Sequence, residues 1–224
     1  MNKSTEGRLL ITSFPLRLRR STLITCLVAL AAVFATAAPK AHASLLSSLA
    51  EPCDGQTMER PFARWLDLFQ YTLVPGGDFE SNAAGWTLTG GAKVVAGNES
   101  FNVTGGGSHS LSLPAGSSAT SPAMCVGLLY PTVRTFATRT GGLLNLSTLR
   151  VDILYDGANG QVQTATLGLI LGGGSWQPTL PVIALGNLLA TVSDANSAVA
   201  LRFTPVGSAS WKIDDAYVDP FRRT

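Results

Sequence analysis

The residues of this chain whose types and spacing could do chemistry begin with two acidic pairs. Asp78 and Glu80 bracket Phe79 in VPGGDFESNAAGW (74–86), and Asp214-Asp215 stand together in SWKIDDAYVD (210–219). Two carboxylates at a defined separation across a cleft are what glycoside hydrolysis needs. Glu99, Asp152, Asp156 and Asp194 multiply the pairs, however, so spacing alone selects none of them. His109 follows GGGS at the start of a strand-like run and reads as an exposed edge residue. No G-x-S-x-G elbow in a strand–helix context accompanies it, so a serine–histidine mechanism is disfavoured. The chain reads as a non-enzyme.

Sugar recognition asks for something different: flat aromatic faces on which C–H faces stack, with amides or carboxylates reading hydroxyls. Trp86 and Trp211 open strand-like runs and read as core. Trp176, between GGGS and Gln177-Pro178, and Tyr130, before Pro131, are the better exposed candidates, with Gln177 as the polar neighbour. Trp65, beside Arg64, reads instead as a cover for an edge of the fold.

The ends of the chain bound the setting. Arg17, Arg19 and Arg20 precede the apolar run TLITCLVALAAVFATAA, and Ala41-His42-Ala43 forms an A-x-A cleavage site. This pattern predicts a signal peptide over 1–43, a secreted product starting at Ser44, and no membrane association in the mature form. Arg19-Arg20 leaves the Sec and twin-arginine routes both open, and Cys26 lies too early in the apolar run for a lipid anchor. Without 1–43, Lys+Arg fall from 16 to 10 and Asp+Glu from 14 to 13, so the net charge changes from +2 to −3. No basic stripe survives, which argues against a nucleic-acid partner.

Two cysteines remain, Cys53 and Cys125. An even count in an exported chain predicts one disulfide. Closing a loop of about seventy residues, it would contribute about 4 kcal/mol by the chain-entropy estimate. Two lone cysteines do not make a zinc site.

These side chains must be positioned by strands. After Val74 the sequence breaks into short runs, among them WTLTG, AKVVAG, SHSLSLP, TSPAMCV, TVRTFATR, STLRVDILYD, QVQTATLGLIL, NLLATVS, AVALRFTP and SWKIDDAYVD. Glycine, serine and proline separate them, and no helical apolar stripe appears, which predicts an all-β antiparallel sandwich or jelly roll. Leu149, Val151, Ile153 and Tyr155 alternate with Arg150 and Asp152; Val199, Leu201 and Phe203 alternate likewise. Asp156-Gly157 with Asn159-Gly160 predicts a hairpin. GGG at 105–107 and 172–174 predicts mobile loops rather than phosphate cradles, because neither opens a helix. In the last run, Trp211 and Ile213 have one parity and Ala216 and Val218 the other. Burying both pairs requires a one-residue slip at Asp214-Asp215, which a β-bulge supplies; strict alternation, burying Tyr217 beside Asp215, is the alternative. The predicted organisation is an extension over 44–73, tied on by the disulfide, a sandwich over 74–220 and a tail at 221–224. RWLDLFQY in the extension fits a short helix or an edge strand.

Gly77-Asp78-Phe79-Glu80 with Gly85-Trp86, SLSLP at 110–114 and W-x-IDDAYVD at 211–219 together resemble the galactose-binding-like β-sandwich superfamily. That group includes many carbohydrate-binding modules of secreted polysaccharide-degrading systems. The resemblance implies a non-catalytic module that binds extracellular or cell-wall carbohydrate. It also implies a structural calcium where the first and last strands meet, with Glu80 and one of Asp214 or Asp215 as side-chain ligands. Calcium takes six to eight oxygens, carbonyls included; turn capping and solvated charge are the plainer use of the same acids. The extra segment 44–73 and the lack of an attached catalytic domain depart from that pattern. An exported structural or protein-interaction domain at the cell surface is therefore the alternative, with the oligomeric state undetermined.

Overall fold

Alternating apolar residues punctuated by glycine and proline favour paired strands, because each run can bury one face only against a second layer. The computed structural model describes residues 46, 48–50, 53–127, 131–142, 147–157, 160–183 and 196–220. The signal region, Tyr130, the NLLATVS run and the tail lie outside these residues. The chain divides into two compact units, 1–41 and 42–224.

The strands of the second unit are β1 (Thr72–Leu73), β2 (Thr87–Thr89), β3 (Lys93–Ala96), β4 (His109–Leu113), β5 (Ser118–Thr120), β6 (Met124–Gly127), β7 (Thr132–Thr140), β8 (Thr148–Asp156), β9 (Val162–Ile170), β10 (Gln177–Pro178), β11 (Val182–Ile183), β12 (Asn196–Val206) and β13 (Ser210–Asp219). They form two sheets, β3-β4-β13-β7-β10 and β2-β5-β12-β8-β9. In the first, β1 also pairs with β13 and β11 with β7; in the second, β6 also pairs with β12. All of these pairings are antiparallel. The predicted all-β sandwich is the observed one, with TSPAMCV divided between β5 and β6 at Pro122.

The main core lies between the sheets. Leu111, Leu113, Val133 and Trp211 from one sheet meet Leu149, Val151, Leu201 and Phe203 from the other, all fully buried. Trp86 belongs here too, stacked on Phe203 and edge-on to Phe79. The β8–β9 hairpin forms where the Asp-Gly and Asn-Gly dipeptides place it, closed by the Gly157 N–H on the Gln161 carbonyl. Asp152 keeps the predicted outward parity and is nevertheless buried, because Arg150, its cross-strand partner Arg202 and Thr166 close over its carboxylate.

The first sheet also buries its outer face. Phe136 of β7 and Tyr217 of β13 point away from the main core and meet Phe62 and Tyr71 of the extension, forming a second buried cluster. RWLDLFQY is neither a regular helix nor a strand. A 3₁₀ turn covers Ala63–Trp65, and Tyr71 makes a bridge to Glu59. The two glycine triplets are not simply mobile loops. A Cβ on Gly172 would stand 2.6 Å from the Trp211 ring, and one on Gly107 would meet the Asn98 and Glu80 side-chain oxygens at 2.6 and 2.7 Å. Both glycines serve close approach.

Candidate functional site

The turn that opens the sandwich is built against the strand that closes it. The Val74 N–H donates to the Ala216 carbonyl at 2.9 Å, and the Ala216 N–H donates to the Gly77 carbonyl at 3.0 Å. Gly77 is required by contact: a Cβ there would lie 2.8 Å from the Val74 carbonyl and 2.9 Å from that of Ala216. Ala216 is free for this turn because β13 slips register between Asp214 and Tyr217. The predicted bulge is present, with Asp215 in the left-handed region at φ 49°. Trp211, Ile213, Ala216 and Val218 all face the main core as a result.

The slip places acids on the outer face. Asp214 and Asp215 are buried, as is Glu99 from the loop between β3 and β4. Asp214 accepts the Glu99 N–H at 2.8 Å and the Asp215 N–H at 2.9 Å. Thr104 Oγ1 donates to Asp215 at 3.3 Å, and Glu99 accepts the N–H groups of Phe101 and Val103. Burial pushes the Asp214 carboxyl up to about 8, with Asp215 and Glu99 adding repulsion against those hydrogen bonds. Burial and the Glu99 charge likewise push Asp215 up to about 7. Among the described residues, no Lys or Arg pairs with any of the three acids. The Tyr217 hydroxyl is buried, and its pKa is raised by burial, by Glu59 beside it, and by the Asp215 and Asp78 charges.

Glu80 is committed elsewhere. Its carboxylate accepts the N–H groups of Ser108 and His109 at 2.8 Å, the Ser108 hydroxyl at 3.0 Å and His109 Nδ1 at 3.0 Å. Burial raises its pKa, but these hydrogen bonds outweigh burial and hold it down to about 2. His109 is thus a half-exposed partner of Glu80 rather than a free edge residue. Glu80, Asp214 and Asp215 all hold the same 98–109 loop, each at a different stretch. Among the described residues, no three His, Cys, Asp or Glu side chains are arranged to hold a metal ion. Asp78 caps its own turn, accepting the Glu80 N–H at 3.4 Å.

The aromatic side of the site is the rim of the second cluster. Phe62 stacks on Phe136 at 5.6 Å between ring centroids and meets Tyr71 and Tyr217 edge-on at 5.2 and 5.7 Å. Trp65 and Phe101 are half-buried, 5.1 Å apart and both packed on Phe136. Trp176 is half-buried against the same cluster, while Gln177 is exposed on β10 in register with Ala137. The segment following Trp176 is fixed: the Thr179 N–H donates to the Thr135 carbonyl, and Arg134 Nε donates to the Thr179 carbonyl at 2.9 Å. Trp65 packs on Phe136 over the sheet's outer face rather than along an edge of the fold.

Sequence reasoning named Glu99 only among acids it could not choose between, and it missed Arg134 and Asp67. Arg134 is buried in an ion pair with Asp67, lies 4.1 Å over the Phe62 ring, and shares Asp67 with the Tyr71 hydroxyl. Nothing in the spacing of Asp67 and Arg134 signals a pairing across 67 residues. Gln56 Nε2 donates to the Cys125 carbonyl at 2.7 Å, which places the Cys53–Gly55 turn beside β6; the Cys53 side chain lies outside the described residues.

No family model matches this chain, and no curated protein does. Solved structures do. The chain is similar to the CBM22-1–GH10 modules of Clostridium thermocellum endo-1,4-β-D-xylanase 10B complexed with xylohexaose. That match has 16% identity and a TM-score of 0.46, covering 66% of this chain and 28% of that one. It is similar to TmCBM61 in complex with β-1,4-galactotriose, at 17% identity and a TM-score of 0.38, covering 66% of this chain and 96% of that one. A third similarity is to the enzymatically active domain of bacteriophage CBA120 tailspike protein 4, at 17% identity and a TM-score of 0.41, covering 64% of this chain and 20% of that one. Each likeness is one of fold.

Proposed function

We propose that this chain is a secreted, non-catalytic β-sandwich module that binds extracellular or cell-wall carbohydrate at the rim of its second aromatic cluster. The observation that carries this reading is Trp176, half-exposed on a bed of buried rings, next to the exposed amide of Gln177. A tryptophan fixed in this way loses little side-chain freedom on stacking against a sugar, while the amide reads hydroxyls. The Arg17–Ala43 signal pattern supports export. The commitment of the mature chain's one histidine to Glu80 supports a binding rather than a catalytic role. A Cys53–Cys125 disulfide belongs to the same proposal, supported by the packing of the Cys53–Gly55 turn near β6.

A structural calcium is the second part of the proposal. Buried Asp214 and Asp215, with Glu99 beside them and no basic partner among the described residues, supply hard oxygen donors whose repulsion a cation relieves. With Glu80 held by Ser108 and His109, such an ion would rest on Asp214, Asp215 and backbone carbonyls.

The test of the sugar site is retention on insoluble xylan and galactan, with xylohexaose and β-1,4-galactotriose as soluble competitors. Trp176→Ala is expected to lower retention at least about tenfold, the scale of one lost stacking contact of ~1.5 kcal/mol. Gln177→Ala is expected to weaken retention less. Absence of retention on either polymer, or retention unchanged in Trp176→Ala, would remove the proposal.

A further inference from the structure

The segment between the two buried aromatics of the extension carries more apolar surface than the second cluster uses. Leu66 is 92% exposed, Leu68 67% and Phe69 65%, within four residues of one another. Single exposed leucines are ordinary, but a contiguous group held in one place marks an interaction site.

This group is held in place. Phe62 and Tyr71 anchor its two sides in the second cluster. Between them the Asp67 carboxylate is turned inward, where it receives the Arg134 guanidinium, the Tyr71 hydroxyl and the Phe69 N–H. Leu66 ends the Ala63–Trp65 turn in the left-handed region at φ 62°, with its N–H on the Ala63 carbonyl. Glycine is the residue that suits such a position. A leucine there accepts backbone strain and projects its side chain into solvent.

The exposed charges beside the tip are mainly basic, two arginines against the single acid Glu59. Arg60 and Arg64 are exposed on the same turn, Arg64 lying 5.2 Å over the Trp65 ring and donating to the Phe101 carbonyl. The acid within the tip, Asp67, is neutralised by Arg134 and faces away. An apolar tip flanked by arginines, with an indole beside it, complements an anionic bilayer surface: the aliphatic groups enter the acyl boundary and the cations meet the headgroups. A sugar offers no such apolar depth, and its recognition uses rings rather than leucines.

We propose that the Arg60–Phe69 tip docks the protein peripherally on an anionic lipid surface through Leu66, Leu68 and Phe69, with Arg60 and Arg64 supplying the charge contacts. Leu66, Leu68 and Phe69 lie outside the proposed sugar site, although the same segment carries Trp65 of its rim.

The experiment is co-sedimentation of the mature chain, from Ser44 onward, with vesicles of phosphatidylcholine alone and of an equimolar mixture with phosphatidylglycerol. Binding is expected on the mixed vesicles only, weakened by added salt. The triple variant Leu66→Ser/Leu68→Ser/Phe69→Ser is expected to lose at least about tenfold in partitioning, as removal of three insertable side chains requires. Arg60→Gln/Arg64→Gln is expected to lose the preference for the anionic mixture. Because Leu66, Leu68 and Phe69 are exposed and touch none of the rim aromatics, the triple variant should melt with the parent, and its retention on polysaccharide should be unchanged. No binding to the mixed vesicles overturns the proposal, as does binding that the triple variant leaves intact. So does a concentration-dependent dimer of the parent that the triple variant abolishes, since the tip would then be covered by a second copy.

Discussion

Asp214 and Asp215 show how a single backbone slip changes the meaning of a residue. In a regular strand one of them would face solvent and titrate as any aspartate does. On the bulge both are buried with Glu99, and their carboxyls rise from the ordinary 3.8 to about 8 and about 7. A group whose folded pKa is raised holds its proton in the folded state after the unfolded chain has released it, so stability falls as pH rises. In excess chelator the melting temperature is therefore expected to drop between about pH 4 and pH 8. Calcium is expected to raise it most at the alkaline end, where both carboxylates are charged. A flat profile in chelator with no response to calcium would refute the proposed ion and the electrostatic account together. Glu80 has the opposite sign. Its pairing with His109 and Ser108 contributes above the ordinary value of 4.5 and is lost as pH falls toward about 2.

Two elements preceding the sandwich strands hold onto its first sheet, and each has one residue on which it depends. The Val74–Gly77 turn fits against Ala216 only without a side chain at Gly77, because both nearest atoms are carbonyl oxygens that cannot move aside. Gly77→Ala is expected to cost about 1–3 kcal/mol in urea unfolding. Gly173→Ala, where nothing lies within 4 Å, is the neutral control. The extension depends on Asp67. Its removal by Asp67→Ala would leave the Arg134 guanidinium, 5% exposed, without its counter-charge. Breaking a buried pair from one side typically costs about 3–5 kcal/mol. Replacing both partners by Asp67→Leu and Arg134→Met is expected to recover much of that loss, and the urea midpoints of the variants check the ordering. Equal midpoints for Asp67→Ala and the parent would show that the pair contributes nothing.

At the scale of the molecule, the described unit is a sandwich with two cores, one between the sheets and one between a sheet and the extension. The second core leaves Trp176, Trp65 and Phe101 half-exposed at its rim, the surface proposed to bind sugar, rather than a whole aromatic face open. It also turns the segment from Arg60 to Phe69 outward as a rigid tip. One extension thus covers the aromatic face and supplies an apolar contact of its own.

Much of this architecture was legible in the chain. Alternation at Leu149–Tyr155 and Val199–Phe203 gave the faces of β8 and β12, because a half-buried strand repeats every two residues whatever its neighbours. The break in parity at Asp214-Asp215 gave the bulge for the same reason: two buried pairs of opposite parity cannot coexist without an extra residue. Trp86 and Trp211 declared themselves as core. Other features waited for the tertiary structure. That Glu80 pairs with His109, that Glu99 joins the buried aspartates, and that Asp67 answers Arg134 are contacts between segments whose separation along the chain encodes nothing about their separation in space. The glycine triplets read as loops until Trp211 and the Glu80 carboxylate were seen to need the room. Local periodicity is written in the chain because it reflects the geometry of one strand. The partner of a charge is decided only when strands from distant parts of the chain are brought side by side.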